Sequence, residues 1–312
     1  MGSPAFALPA LRRLIESEHE VAAAVTQPDE PAGRGRKLRP PPVKELALAH
    51  GLPVLQPERV NRPQALDALR ALAPDAIVIA AYGQILKQPL LDIPKRGALN
   101  VHASLLPRHR GASPVAAAIL AGDEETGVTI MEVMLALDAG PMLSRRALPV
   151  APEDTTGTLS AKLAELGADL LIETLPRWER GEIEPEPQDD SRATYAPPLR
   201  RDDAVIDWSL RAVDVWRGVR AYNPWPVATT PIAGEALRIL DAWPLEEDPD
   251  VAPGTLLSMP DGAVAPEGAG FAVRCGRGLL AVVRAQRAGR RVLSGVDLLR
   301  GWRDLIGKRA GT

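Results

Sequence analysis

The chain of 312 residues carries 37 Lys and Arg against 40 Asp and Glu, a formal net charge of −3, and is 46% hydrophobic and 25% charged. That is long enough for two domains with a substantial core, too apolar for a disordered chain, and not the balance of a generally basic nucleic-acid binder. No apolar run reaches the ~18 residues that span a bilayer, the opening stretch lacks a basic region followed by an apolar core, and the single cysteine, Cys275, permits no internal disulfide and no cysteine-rich metal cluster. A protein of the reducing cytoplasm, without a membrane partner, is expected.

Taken in order, the chain opens on a turn, Met1–Phe6, and a helix is expected over Pro9–Glu16 with Leu11, Leu14 and Ile15 on one side. Val21–Thr26 has the β-branched and alanine content of a buried parallel strand. A loop, Gln27–Pro42, rich in Pro, Gly and Arg, separates it from a helix over Val43–Gly51. Pro53–Gln56 and Asp75–Ala81 read as strands around a helix, Arg62–Leu72. After an irregular helical piece near Ile85–Leu91, the stretch Gly97–Pro114 begins as a strand and breaks into a Pro/Gly/Arg loop. Ser113–Ala121 reads as a helix, Gly127–Val133 and Pro141–Pro149 as strands, and Thr156–Arg177 as a long amphipathic helix. Repeated β-then-α units imply a doubly wound, mostly parallel sheet of the Rossmann-like kind. A sheet that starts on a turn lacks a first, central strand, so the expectation is that Met1 falls at the end of a truncated strand and that the true start lies upstream.

Composition shifts at Gly181–Arg200, which is rich in proline and acidic residues and reads as a linker. Beyond it, a helix over Ser209–Ala221 precedes short strands at Arg238–Trp243, Gly254–Ser258, Ala263–Ala265, Gly270–Cys275 and Leu279–Gln286. Even spacing with Gly/Pro turns suggests a small barrel of the OB-like kind. The domains expected are therefore 1–180 and 201–312, joined by 181–200. Charge is uneven across them. Arg274–Arg309 holds ten Lys and Arg against two Asp, and Arg34, Arg36, Lys37 and Arg39 share one loop. Such asymmetry suits a polyanion-facing surface as well as a merely solvated one.

Side chains alternate across a strand, so Asn100 and His102 share a face at the strand's C-terminal end, where open α/β sheets place their sites. Alone, His102 would be a satisfied core histidine, and Asp138, in Leu137-Asp138-Ala139-Gly140, an ordinary turn aspartate. A carboxylate returning through a glycine turn to the sheet's edge could instead orient His102 and favour its charged form.

Together, Asn100-x-His102, the loop Ser104-Leu105-Leu106-Pro107 with Arg110-Gly111, and the later Leu-Asp-x-Gly resemble the signature of the folate-dependent formyltransferases. Further stretches resemble the methionyl-tRNA formyltransferases within that superfamily: Thr26–Asp29 with Pro31–Gly35, Leu52–Pro57, Ile206–Trp208 and Arg220–Pro226. The resemblance covers nearly the whole chain. It implies a catalytic triad of Asn100, His102 and Asp138, donor contacts from Ser104, Leu105, Leu106 and Pro107, and 10-formyltetrahydrofolate as co-substrate without a metal. It also implies initiator methionyl-tRNA as acceptor, with Arg34, Arg36, Lys37 and Arg39 on the tRNA, and a monomeric enzyme of translation initiation. Two positions depart from the family pattern: His109 stands where an aromatic residue is usual, and Pro141 where an acidic residue is usual.

The chemistry suits those residue types. Formyl transfer to an amine builds negative charge on the formyl oxygen, which an amide from Asn100 and a protonated His102 can both face. Asp138 would keep that imidazole oriented and cationic, or relay a proton through it or through water. A formyltransferase acting on an amino-sugar nucleotide would share the triad but would not need the basic loop. A non-catalytic RNA-binding module would leave the triad without a purpose.

Overall fold

The structure, a computed structural model, describes residues 1–32, 37–302 and 304–311. The chain divides into two compact units: Met1–Pro114 with Glu125–Pro149 and Ser160–Ala196, and Val115–Glu124 with Val150–Leu159 and everything from Pro197.

In the first unit, strands β1 (Ala24–Val25), β4 (Val54–Leu55), β5 (Ile77–Ile79) and β6 (Ala98–His102) alternate with helices α1 (Leu8–Glu16), α2 (Pro42–Ala49), α3 (Pro63–Ala71) and α4 (Gln88–Leu91). All four helices carry proline at their first or second position, where the missing N–H costs nothing and the fixed φ favours helix. A hairpin of β2 (Glu30–Ala32) and β3 (Lys37–Arg39) stands on the loop after β1.

β1 pairs with β4 and β5 with β6, both in parallel. Met1 and Gly2 connect the two pairs: Gly2 N–H donates to Val25 O (3.0 Å), Ala80 N–H donates to Met1 O (2.9 Å), and Gly2 bridges Ala80 in parallel. A cavity of about 360 Å³ lined by Met1, Ala22–Val25 and Ala76–Val78 adjoins this bridge.

Beyond β6 the sheet turns antiparallel. β8 (Glu125–Glu132) pairs with β6 and β9 (Met142–Pro149) pairs with β8. The segment between β8 and β9 forms no helix, so these strands close as a hairpin, and the sheet is parallel on one side only. Helix α6 (Thr156–Glu179) buries Leu163, Leu170 and Leu171, with Gly167 facing Val101 of β6 and Val128 of β8. A Cβ at Gly167 would lie 2.7 Å from a Val101 methyl, so this glycine sets how closely the helix approaches the strand that carries the site.

The second unit is a curled antiparallel sheet. β11 (Thr229–Ile232), β12 (Glu235–Leu245), β13 (Leu256–Ser258), β14 (Phe271–Arg274) and β15 (Leu279–Arg287) run in the order β11-β12-β15-β14-β13, with β16 (Val292–Ser294) on β15. The register of β12 slips twice between Ile239 and Ala242, which bends the long strands. Ala310 bridges Ile232 and Arg309 bridges Thr255, joining the segment's two ends around a core of Trp208, Leu237, Phe271, Leu280 and Val282.

Two expectations for this unit change. No strand forms over Ala263–Ala265: Val264 is exposed, and Gly262 and Gly268 take left-handed turns on either side. Helix α7 (Ala212–Ala221) starts later than Ser209, because the Ser209 N–H and hydroxyl both donate to Asp207 Oδ1, a local turn that competes with helix.

Replacing Gly167 by valine should overpack the α6–β6 contact and cost about 1–3 kcal/mol. The expected reading is a lower urea midpoint with an unchanged m-value.

Candidate active site

β6 is central in its sheet, so its backbone is held on both sides: Asn100 pairs with Ile79 on one and Met131 on the other. Its Leu99 and Val101 are buried in the core, while Asn100 and His102 occupy the opposite face. Asn100 is half-buried, and its amide makes no hydrogen bond to any described residue. That leaves a side-chain donor available at the C-terminal edge of the sheet, on a backbone paired from both sides.

His102 is only 5% exposed, and two groups hold its ring. Nε2 lies 3.0 Å from the His109 carbonyl, and Nδ1 lies 3.7 Å from Asp138 Oδ2. A carbonyl oxygen only accepts, so Nε2 carries the proton and Nδ1 is the acceptor in the neutral ring. Burial pushes the imidazole below its ordinary value; the Asp138 carboxylate and the His109 carbonyl oppose that shift without reversing it. Of the two roles expected of His102 from sequence, a resting cation and a proton relay, this direction favours the relay, because desolvation outweighs the nearby charge. Burial thus favours a neutral imidazole beside a carboxylate that can stabilise its charged form.

The loop Ser104–Pro107 is mostly interior. Ser104, Leu106 and Pro107 are buried and Leu105 is half-buried. The Ser104 hydroxyl donates to Arg108 O (2.6 Å), and the Thr129 hydroxyl donates to Ser104 O (2.7 Å) while accepting from Leu106 N–H (3.1 Å). The Leu106–Pro107 peptide is cis. These residues therefore shape the path that returns His109 to His102. His109, a departure from the family pattern in sequence, acts through its backbone, in a left-handed conformation with φ 57.

Asp138 reaches the strand edge through the turn read from Leu-Asp-Ala-Gly. Its own φ is 46, and a Cβ at Gly140 would fall 1.8 Å from Glu132 O, so only glycine lets the turn close on β8. Oδ2 accepts from Gly111 N–H (2.8 Å), which fixes the carboxylate on the side of His102. Gly111 belongs to β7 (Arg110–Gly111), which pairs in parallel with β10 (Tyr195–Ala196).

Sequence reasoning missed Gln188 and, although Arg110-Gly111 belongs to the motif, gave Arg110 no role of its own. Gln188 lies within the segment marked as a linker, and Arg110 is 3% exposed, an unusual depth for a guanidinium, paired to Gln188 and Asp190. No local motif announces Gln188. Tyr82, which follows β5, is buried; its hydroxyl finds no partner, and desolvation pushes it up to about 12. Along the C-terminal ends of β4 and β5 lies an open cavity of about 530 Å³ lined by Gln27, Gln84 and Ile85, by the carboxylate Glu58 and by three cations, Arg59, Arg62 and Lys87.

Of the basic loop, Arg34 and Arg36 lie outside the described residues. Lys37 and Arg39 belong to β3, and Arg39 is exposed.

Residues 1–175 match the family described as formyl transferase, and residues 198–303 match its C-terminal domain. A methionyl-tRNA formyltransferase of Methylococcus capsulatus is 48% identical, with 100% of this chain and 98% of that protein covered. One of Roseiflexus sp. is 49% identical, covering 100% and 94%. Among solved structures, the sugar 3N-formyl transferase WlaRD superposes with a TM-score of 0.63 at 16% identity, covering 93% of this chain and 97% of its own. A variant of HypX from Aquifex aeolicus gives the same score at 20% identity, covering 95% of this chain and 45% of its own. At those identities the structures share the fold.

Gly111→Ala places a Cβ 2.6 Å from Ala196 O at φ 116. Strain of about 1–3 kcal/mol should lower the thermal midpoint. With the N–H that holds Asp138 displaced, turnover should fall in the fraction that stays folded.

Proposed function

The chain belongs to the formyl transferase family, and on that footing we propose that it carries a formyl group from 10-formyltetrahydrofolate to the α-amino group of methionine on initiator tRNA. The observation that carries the reading is the His102 ring held between the His109 carbonyl and Asp138, two residues along the strand from Asn100, whose amide bonds no described residue. The full-length similarity to methionyl-tRNA formyltransferases supports the choice of acceptor.

The residues divide the work. Asn100 donates to the formyl oxygen as charge grows there; one such donor is typically worth about 10²–10³ in rate. His102 takes a proton from the attacking amine on Nδ1, becomes an imidazolium beside the Asp138 carboxylate, and returns the proton to the departing nitrogen. One carbon–nitrogen bond forms and one breaks, and the proton moves from amine to leaving nitrogen. The donor brings the activated formyl carbon and the nitrogen that leaves. The cations Arg59, Arg62 and Lys87 around the open cavity at the ends of β4 and β5, with Glu58 among them, suit the donor's glutamyl carboxylates. From Ser104–Pro107, donor contact comes through half-buried Leu105 and the main chain.

The free amine of the acceptor has a pKa near 8, so a neutral fraction exists at cytoplasmic pH. Arg34, Arg36, Lys37 and Arg39 would meet the tRNA backbone, and residues 201–312 would help to hold it. Residues 1–180 carry the chemistry, with 181–200 between. Every residue assigned a step comes from one chain, so a monomer is a sufficient catalytic unit. The reducing cytoplasm, where translation starts, suits the lone cysteine, and no helix among the described residues is long and apolar enough to cross a membrane.

His102→Ala should abolish most formylation of methionyl initiator tRNA while tRNA binding persists; near-normal turnover would overturn the mechanism. Asp138 raises the His102 pKa, so Asp138→Asn should move its NMR titration to lower pH and slow turnover. Neutralising Arg34, Arg36, Lys37 and Arg39 together should raise KM for tRNA and flatten its salt dependence. A change confined to the folate KM would remove this loop from the tRNA.

A further inference from the structure

We infer that Gln188, from the segment between the two family-matched regions, is a positioning residue that holds the Asp138 turn in register with His102. The inference rests on the active-site reading above and extends it to a residue without a part in the chemistry.

Gln188 makes hydrogen bonds from both ends of its amide. Nε2 donates to the carbonyls of Asp138 (2.8 Å) and Gly140 (2.8 Å), bracketing the turn that carries the carboxylate. Oε1 accepts from Arg110 Nε (2.9 Å), and Arg110 Nη2 is in turn anchored on Asp190 Oδ1 (2.7 Å). Arg110 immediately precedes Gly111, whose N–H holds Asp138 Oδ2. The carboxylate and the backbone that orients it are thus tied to one amide, and no substitution reproduces that pattern. Glutamate keeps the acceptor toward Arg110 and loses both donors; leucine loses all three bonds.

The need for such a tie follows from the turn. Met134, Leu135 and Leu137 are exposed, and Asp138 sits at a positive φ that costs energy for a non-glycine residue. A surface turn in that state drifts unless something outside it fixes both flanks. The same segment also fixes the other partner of His102: Thr194 Oγ1 accepts from His109 N–H (2.8 Å) and Thr194 O accepts from Arg110 N–H (2.8 Å).

The test is a double-mutant cycle read on the His102 imidazole, whose titratable partners are Asp138 from the turn and His109 from its own loop. In the full-length protein, the His102 pKa is measured by NMR with and without Asp138→Asn, first with Gln188 present and then in Gln188→Glu and Gln188→Leu. The Asp138→Asn shift is expected to shrink in both Gln188 backgrounds, and kcat to fall about 10- to 100-fold with both KM values nearly unchanged. An Asp138→Asn shift of equal size in all three backgrounds would show that Gln188 is merely structural and overturn the inference. A loss of thermal midpoint with kcat retained would overturn it too. If Asp138→Asn fails to move His102 even with Gln188 present, the active-site reading is what falls. Gln188→Glu, isosteric and still able to pair with Arg110, separates loss of positioning from loss of folding.

Discussion

A histidine taken out of water is the constraint that organises the catalytic unit. At 5% exposure, the His102 ring is oriented by the two groups that face its nitrogens. A backbone carbonyl seven residues on, presented by a left-handed His109, accepts from one nitrogen. The Asp138 carboxylate, from a turn beyond β8 in which Gly140 passes against Glu132, stands 3.7 Å from the other and pairs with it once it is protonated.

That burial also decides the charge state. A carboxylate at 3.7 Å invites the view that the histidine is permanently cationic. Desolvation acts the other way and dominates, which favours a neutral resting ring. In the mechanism proposed above, a base that is neutral at rest and becomes charged only after taking a proton stabilises the transition state more than the ground state. Asp138 would then matter most when the imidazolium forms.

Local pattern made much of this legible. The alternation through Ala98–His102 placed Asn100 and His102 on one face, and proline-led helices stand close to where turn and cap signals put them. The Leu-Asp-Ala-Gly turn returned its aspartate to the sheet edge, as the glycine suggested. What could not be read were features made by distant backbone. The His109 carbonyl carries no side-chain signal, Arg110 belongs to the motif but the sequence does not show what it pairs with, and Gln188 sits in a stretch whose prolines and acids suggest a tether. The strand expected at Ala263–Ala265 failed for the reverse reason: its alanines and valine fit a strand, but the glycines on both sides take left-handed turns and leave Val264 in water.

The stretch between the two family-matched regions then takes on a different character. The N-terminal match ends at residue 175 and the C-terminal match begins at 198. Gln188, Asp190, Thr194 and β10 all fall in that interval, and all bond to the loop that presents His109, Arg110 and Gly111. Sequence variation in a surface strap is cheap where its contacts are made by main chain, as in β10, and restricted where an amide bonds from both ends, as at Gln188. A unit cut at residue 175 would retain Asn100, His102 and Asp138 and lose the bonds from Gln188 to the Asp138 turn and from Thr194 to His109. The chemistry is written in the first region, and its geometry is finished by the interval after it.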